Sequence, residues 1–347
     1  MLKSIVFGGT KGFGESILIQ YDKEKFGIID SFINQKTKRP CVLDFIEEEN
    51  INPEWIKFIV LTHYHQDHFT GIAQVLSICT NAFFYTSNSL VSKNFQLLIA
   101  AHSTIESKHN FFREFEEIVN ILKSTNRKIK VLSDSSKYII NEQGIKISSL
   151  SPNQDTYDYL DSCYKQAAKD IVENNNIKLQ IGKKFNFQSV VILVESTETC
   201  ILYGSDLEYS ESSSEIGWEA IIKKGVISKI KFDLFKIPHH GSLNGYNKKD
   251  WVNFMNDGGI FNITPYSRGR SRLPKTEMIK NVLAISKEAY ITSTISYEKI
   301  PSNLRKKLKG LDIKRLSNDI GQIEVNLSTS DLSNKIVLKG KAKRLAI

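Results

Sequence analysis

Short apolar runs alternate with amphipathic stretches through the first half of the chain. The apolar runs are rich in β-branched and aromatic residues, which favour strands, whereas the amphipathic stretches have the 3.6-residue spacing of helices. Strands are predicted at 3–8, 15–21, 26–32, 57–62, 82–86, 128–134 and 145–150. Helices are predicted at 40–48, 71–79, within 88–126, and at 154–173. The charged turn DKEK between the second and third strands predicts a hairpin.

The second half repeats the theme. Strands are predicted at 187–195, 199–204, 232–237, 260–264 and 289–294, and helices at 215–224 and 276–286. Hairpins together with strand–helix alternation predict mixed sheets rather than parallel ones. We expect an α/β protein in which two mixed sheets pack face to face with helices outside. Strand ends from both halves would then share one edge.

No sharp linker or low-complexity stretch interrupts this pattern. We therefore predict one domain over residues 1–294, with a helical insertion at about 88–173. Residues 295–347 form a predicted basic C-terminal extension with two weak strands, at about 321–326 and 335–339.

Composition limits the class of protein. Hydrophobic residues make up 41% and charged residues 24% of the 347, an ordinary balance for a folded protein. The four cysteines are scattered, which argues against a disulfide framework. A signal-peptide core is missing, as is the run of ~18 apolar residues that a membrane span needs. We expect a cytoplasmic protein without membrane contact. The net charge of +9 favours polyanionic partners, or serves solubility alone.

One cluster of side chains carries the chemistry. His63, His65, Asp67 and His68 follow directly on the predicted strand 57–62. Imidazole and carboxylate are the ligands that zinc and similar divalent ions choose. Residues two apart in an extended backbone point the same way, so His63 and His65 can share one ion. If buried without partners, these groups would be costly, so a metal site is the favoured interpretation.

The segment THYHQDHFTG resembles the H-x-H-x-D-H signature of the metallo-β-lactamase superfamily. Asp30 and Asp206 each end a strand where that family places carboxylates. The segment KIPHHGS (236–242) is similar to one subgroup, the metallohydrolase domains of ComEC-type DNA-uptake proteins and their stand-alone relatives. The glycine turn GGTKGFGES and the piece Asn186-x-x-Ser189 fit the same subgroup. The resemblance, over about residues 3–294, implies a four-layer αββα sandwich.

The resemblance also implies the site. Two divalent metal ions are expected, zinc first and manganese as the alternative. The implied ligands are His63, His65, Asp67, His68, Asp206 and His240. Asp67 and His239 are the implied catalytic residues. Supporting or substrate-contacting positions are Asp30, Asn186, Ser189 and Ser242. Arg268, Arg270 and Arg272 are added from the residues themselves, because their loop should lie near the same edge as His239.

One departure from the superfamily pattern concerns the first metal. Many members supply a third histidine between the second motif and the bridging aspartate. In that interval this chain offers His102 and His109, both within a predicted helical stretch. A first site of His63, His65 and Asp206 would leave positions open for water or substrate.

The favoured function is a metal-dependent phosphodiesterase or nuclease that acts on nucleic acid or a nucleotide with a metal-activated water. Its supports are the subgroup resemblance, the positive charge and the basic loop 267–275, since guanidinium groups suit phosphate. One alternative is a hydrolase of a small ester, thioester or lactam. Another is a weakly catalytic, metal-binding regulatory or defence subunit. No residue establishes a protein partner.

Overall fold

The strands form two large sheets. A computed structural model describes residues 1–9, 13–103, 112–174, 180–268, 271–293, 320–328 and 335–346. The strands of the first half are β1 (Lys3–Gly8), β2 (Glu15–Asp22), β3 (Lys25–Ile29), β4 (Ile56–Leu61), β5 (Phe83–Ser87), β6 (Ile129–Leu132), β7 (Ile140–Glu142) and β8 (Ile145–Ser149). The later strands are β9 (Ile192–Glu195), β10 (Cys200–Tyr203), β11 (Phe232–Lys236), β12 (Met255–Ile263), β13 (Tyr266–Arg268), β14 (Ser271–Leu273), β15 (Ala289–Ile291), β16 (Gly321–Asn326), β17 (Ile336–Lys339) and β18 (Lys343–Arg344).

Both sheets are mixed, as predicted. The first runs β17-β16-β1-β2-β3-β4-β5-β6, and the second runs β18-β15-β12-β11-β10-β9-β8-β7. In the first sheet, β3, β4, β5 and β6 pair in parallel, while β1 pairs antiparallel with its neighbours on both sides. In the second, β10, β11, β12 and β15 are parallel. The carboxyl ends of β4 and β10 lead into the histidine turn and into Asp206.

The helices cover the outer faces. They are α1 (Cys41–Glu48), α2 (Gln66–Phe69), α3 (Ile72–Ile78), α4 (Lys93–Ser103), α5 (Arg113–Ser124), α6 (Gln154–Asn174), α7 (Trp218–Lys223), α8 (Lys248–Phe254) and α9 (Thr276–Ile285). One apolar cluster joins the first sheet to α1 and α3–α6, and another joins the second sheet to α7–α9. A third lies between the sheets. The four-layer αββα class is confirmed.

The period-two pattern of the strands produces these layers. In β1, Ile5 and Phe7 pack toward the helices, whereas Val6 faces the other sheet. In β2, Leu18 faces the helices and Ile17 the other sheet. Successive side chains of a strand point to opposite faces, so a strand buried on both sides reads as a continuous apolar run.

Strands after residue 294 belong to the sheets. β16 lies between β1 and β17, and β18 pairs with β15. The weak strands predicted in this region are therefore present as β16 and β17, which complete one edge of the first sheet, whereas β18, which was not predicted, completes an edge of the second. The predicted 88–173 insertion likewise contains β6, β7 and β8 beside its helices. The division at residue 294 stays a prediction.

Two local expectations were wrong. Residues 187–188, predicted to begin a strand, end a 3₁₀ helix at Gln180–Gln188, and the strand begins at Ile192. The predicted basic loop 267–275 instead contains most of the hairpin β13–β14, in which Ser267 lies opposite Arg272. None of the described helices combines the length and apolar character that crossing a lipid bilayer requires.

Candidate metal centre

The histidine turn begins where β4 ends. Its backbone is held by Asp30, which follows the neighbouring strand β3. The Thr62 backbone N–H donates to Asp30 Oδ1 at 2.8 Å, and the Thr62 hydroxyl donates to Asp30 Oδ2 at 2.7 Å. Asp30 also contacts His68 Nδ1 at 2.8 Å. This contact orients the imidazole so that its Nε2 faces the opposite sheet, a role that carboxylates commonly play beside metal-binding histidines.

The second sheet supplies the facing groups from two adjacent strand ends. Asp206 follows β10, and His239 and His240 follow β11. Since β10 and β11 are parallel, their carboxyl ends lie side by side. The His239 backbone N–H donates to Ser205 O at 2.9 Å and ties the two turns together. His239 and His240 adopt left-handed backbone angles, with φ of 46° and 53°, which turn their side chains apart.

The two turns converge. His68 Nε2 lies 3.4 Å from Asp206 Oδ1, and His63 Nε2 lies 3.8 Å from Asp206 Oδ2. His240 Nε2 lies 3.1 Å from Asp67 Oδ2 and 3.5 Å from Asp206 Oδ2. Residues separated by more than 130 positions in sequence therefore meet at one edge of the sandwich.

The cluster offers donor sets that fit divalent ions. Ligand atoms of His63, His65 and Asp206 lie within 4.8 Å of one another, and the same holds for Glu15, His68, Asp206 and His240. Among the described residues, His68 Nε2 and Asp206 Oδ1 are buried and have no hydrogen-bond partner. Such atoms are costly in an interior unless an ion or a water satisfies them. The residues present therefore fit a metal between them.

The charges of the cluster compensate one another when no metal is bound. Burial lowers the pKa of His68, but the Asp206 and Asp30 carboxylates outweigh it and hold that pKa well above its usual range. Burial also opposes charge on His240, yet Asp206 and Asp67 raise its pKa to about 9. Burial raises the pKa of Asp206, but His240 and His68 hold it well below its usual range. A metal ion would replace these protons.

A cavity of about 490 Å³ opens beside the cluster. Asp67, Asp206 and His240 line its floor, and His239 lines its wall. The hairpin β13–β14 contributes the other side. The cavity residues are His65, Gln66, Asp67, Asn186, Asp206, Glu208, His239, His240, Asn244, Tyr266, Arg268, Ser271 and Leu273.

His239 is held at both ring nitrogens. Its Nδ1 lies 3.0 Å from both Asn244 Oδ1 and Glu208 Oε1, and its Nε2 lies 3.3 Å from Asn186 Nδ2. Burial lowers the pKa of His239, but the Glu208 hydrogen bond and the Asp206 charge outweigh it and raise that pKa. The Asn186 amide also donates to Glu208. The side chains of His239, Asn244, Glu208 and Asn186 thus form one polar network in the cavity wall.

Several predicted residues lie apart from the cavity. Ser189 is buried, and its Oγ has no hydrogen-bond partner among the described residues. Ser242 continues the His239–Gly241 turn, where its N–H donates to His239 O. Neither residue lines the cavity, and neither does Arg272. Arg270 lies outside the described residues.

Of the two histidines of the insertion, the one that the structure describes, His102, does not supply the missing ligand. His102 is buried and packs edge-on against Phe112, with ring centroids 5.3 Å apart. His109 lies outside the described residues.

Two acidic residues near the metal centre were not predicted from the sequence. Glu15 lies in the GFGES turn, which was used only as a weak family feature. Glu208 lies two residues after Asp206 and lines the cavity. The position of Glu208 beside a predicted ligand was an available signal. Nothing local marks Glu15, because its partners come from the other sheet.

The comparisons with known proteins agree with this fold. No curated protein matches the chain by sequence. The family model described as metallo-beta-lactamase superfamily matches residues 9–94, which include the histidine turn.

Solved structures give distant likenesses. The metallo-beta-lactamase fold protein YhfI from Bacillus subtilis has 12% identity and a TM-score of 0.43 over 84% of this chain and 94% of that chain. A putative metallo-beta-lactamase from Thermotoga maritima has 13% identity and a TM-score of 0.34 over 59% and 79%. Human tRNase Z, short form, has 11% identity and a TM-score of 0.33 over 67% and 76%. TM-scores this low carry no argument about function. The family match covers residues 9–94, and the two-sheet sandwich is consistent with the fold of a metallo-β-lactamase superfamily domain.

Proposed function

We propose that this protein is a metal-dependent hydrolase of phosphodiesters, with nucleic acid or a nucleotide as substrate. The observation that carries the hydrolase assignment is the buried pair His68 Nε2 and Asp206 Oδ1, which lie 3.4 Å apart without a hydrogen-bond partner, next to an open cavity that Asp206 lines. A structural metal site would be closed on all sides, whereas a catalytic one leaves room for water and substrate.

The donors would form two sets that both include Asp206. His63, His65 and Asp206 would hold one ion. His68, Asp206 and His240 would hold the other together with Asp67, whose Oδ2 lies 3.1 Å from His240 Nε2. Bound there, divalent ions would supply Lewis acidity that brings the pKa of water near neutrality and offsets charge developing on a phosphate. Zinc is the first candidate and manganese the second, because both accept imidazole and carboxylate.

The chain's own residues orient the reactants. Burial raises the pKa of Asp67, but the His240 hydrogen bond and the charges of His68 and His240 hold it well below its usual range. Asp67 is therefore a charged ligand first and an acceptor of the water proton second. His239, with its raised pKa, lines the wall, and because Glu208 and Asn244 hold its Nδ1, its Nε2 is the nitrogen that would donate to a phosphoryl oxygen in place of its contact with the Asn186 amide.

Arg268 favours a phosphate-bearing substrate. Its Nη1 donates to Gln66 Oε1 at 2.6 Å, and its guanidinium lies 5.2 Å from the centre of the Phe13 ring. These contacts hold a cation at the cavity, next to the residue that precedes Asp67. A fixed guanidinium loses little conformational freedom on binding phosphate and can make two parallel hydrogen bonds.

A metal-reconstituted assay tests the proposal. The protein is loaded with Zn²⁺ or Mn²⁺ and offered single-stranded DNA, RNA, cyclic dinucleotides, bis-p-nitrophenyl phosphate and p-nitrophenyl acetate. We expect turnover of a phosphodiester that disappears in Asp67→Ala. Turnover of the acetate ester alone would move the substrate to carbon esters. Equal turnover by wild type and Asp67→Ala, or none on any substrate, would remove the hydrolase assignment.

A further inference from the structure

A buried ion pair joins the two sheets behind the candidate metal centre. Glu15 begins β2 in the first sheet, and Lys236 ends β11 in the second. The Lys236 ammonium contacts Glu15 Oε2, and the two side chains are 0% and 1% exposed. Burying two charges costs several kcal/mol each before their attraction repays it, so such a pair is weak evidence for stability. Stability therefore does not explain why the pair lies behind the candidate metal centre.

The pair contacts the segment that packs against His240. The Thr264 hydroxyl donates to Glu15 Oε2. The Thr264 carbonyl oxygen lies 3.0 Å from His240 Nδ1 and accepts a hydrogen bond from its N–H. Two residues further on, the Tyr266 ring stacks on the His240 ring, with centroids 5.2 Å apart and planes at 29°. Segment 264–266 thus contacts the His240 imidazole both at its edge, through Nδ1, and on the face of its ring.

Glu15 faces the ring nitrogen of His240 that points away from Asp67 and Asp206, although a Glu15 oxygen also lies within 4.8 Å of ligand atoms of His68 and Asp206. Its Oε2 lies 3.9 Å from His240 Nδ1, whereas Nε2 is the nitrogen that faces Asp67 and Asp206. The same oxygen already accepts from Lys236 and Thr264. An oxygen engaged in this way supports the ligand histidine, and if Glu15 instead bound the ion directly, both double variants below would bind it equally weakly.

We infer that Glu15, held by Lys236, is a positioning residue that fixes His240 through Thr264. The inference rests on the proposed metal-dependent function and names residues that set the affinity of one of its two ions. Lys236 ends β11 and His240 lies in the turn that follows this strand, while Glu15 comes from the opposite sheet. The contact therefore fixes the two sheets relative to each other where their ligands meet.

Paired double variants separate positioning from mere stability. Removing Glu15 alone would leave the Lys236 charge buried, which endangers folding. Glu15→Leu/Lys236→Met removes both charges and also the acceptor for the Thr264 hydroxyl. Glu15→Gln/Lys236→Met removes the same charges but keeps a side-chain oxygen for that hydroxyl. Thr264→Val removes the hydroxyl and leaves the backbone carbonyl in place.

A second buried carboxylate provides the control. Glu324 has a 6% exposed side chain and binds Lys3 and Lys339, none of which lines the cavity. Glu324→Leu is expected to lower the urea midpoint of unfolding of the metal-free protein without changing metal affinity.

The measurement is the affinity for Zn²⁺ and for Mn²⁺, by competition with a chromophoric chelator. We expect Glu15→Leu/Lys236→Met and Thr264→Val to bind one of two ions about 10- to 100-fold more weakly, the range typical of lost outer partners. Glu15→Gln/Lys236→Met should bind like wild type. Equal affinities in all three variants and in wild type would overturn this inference without affecting the proposed function. Equally weak affinities in the two double variants would contradict the part of the inference that runs through Thr264. A wild type that binds no ion would overturn the proposed function as well.

Discussion

The two halves of the candidate site are built in different ways. The first half places His63, His65, Asp67 and His68 in a single turn after β4. The second half brings Asp206 and His240 from two strand ends, and His240 is contacted through Glu15 and Thr264 on two further segments, with Lys236 on its own strand. A dense turn is set by its own backbone and one carboxylate, Asp30. A dispersed half depends on long-range contacts and should be the easier half to disturb.

The largest effect is expected where the halves join. Asp206 contacts His63, His68 and His240, so it belongs to both donor sets. Asp206→Ala should abolish binding of both ions and lower kcat/KM by more than about 100-fold, beyond the loss typical of an outer partner. Metal content by mass spectrometry and phosphodiester turnover measure it. One retained ion would show that the two donor sets are independent.

The next effect separates the halves. His63→Ala removes a donor of the first set only, and His240→Ala removes a donor of the second. We expect each variant to keep one ion. His63→Ala should lose the ion of the first set, and His240→Ala should lose the ion of the second. Calorimetric titration with Zn²⁺ gives the stoichiometry. Loss of both ions in His63→Ala but not in His240→Ala would reverse the comparison, because the dense half would then be the fragile one.

A smaller effect concerns the substrate side. Arg268 lines the cavity, whereas Arg272 on the same hairpin does not. Arg268→Ala should lower kcat/KM on a phosphodiester by about 10- to 150-fold, since a hydrogen bond to a charged group contributes about 1.5–3 kcal/mol. Arg272→Ala is the matched control of equal charge and should change kcat/KM less. Equal effects of the two variants would indicate a diffuse electrostatic contribution, which would also vanish at high salt.

The difference between the halves also explains what the sequence could predict. The dense turn is visible because its ligands are neighbours in the chain, and the αββα layers follow from apolar runs of strand length. Glu15 was missed because its partners lie 221 and 249 residues away. The hairpin β13–β14 was taken for a loop because its strands are three residues each, too short for an alternating pattern.

The assignment of β16 shows a related limit. Its strand character was predicted from GQIEVN, but its place beside β1 was not. An antiparallel partner more than 300 residues away leaves no local trace in either strand. Long-range pairing is set by the complementary faces of whole sheets, which the hydrophobic pattern of one strand does not specify.

The most direct test is a crystal of the protein grown with Mn²⁺ or Zn²⁺ and measured at the metal absorption edge. The account predicts two anomalous peaks that share Asp206, one beside His63 and His65 and the other beside Asp67, His68 and His240. No peak at this edge of the sandwich, or metal bound only elsewhere, would contradict it.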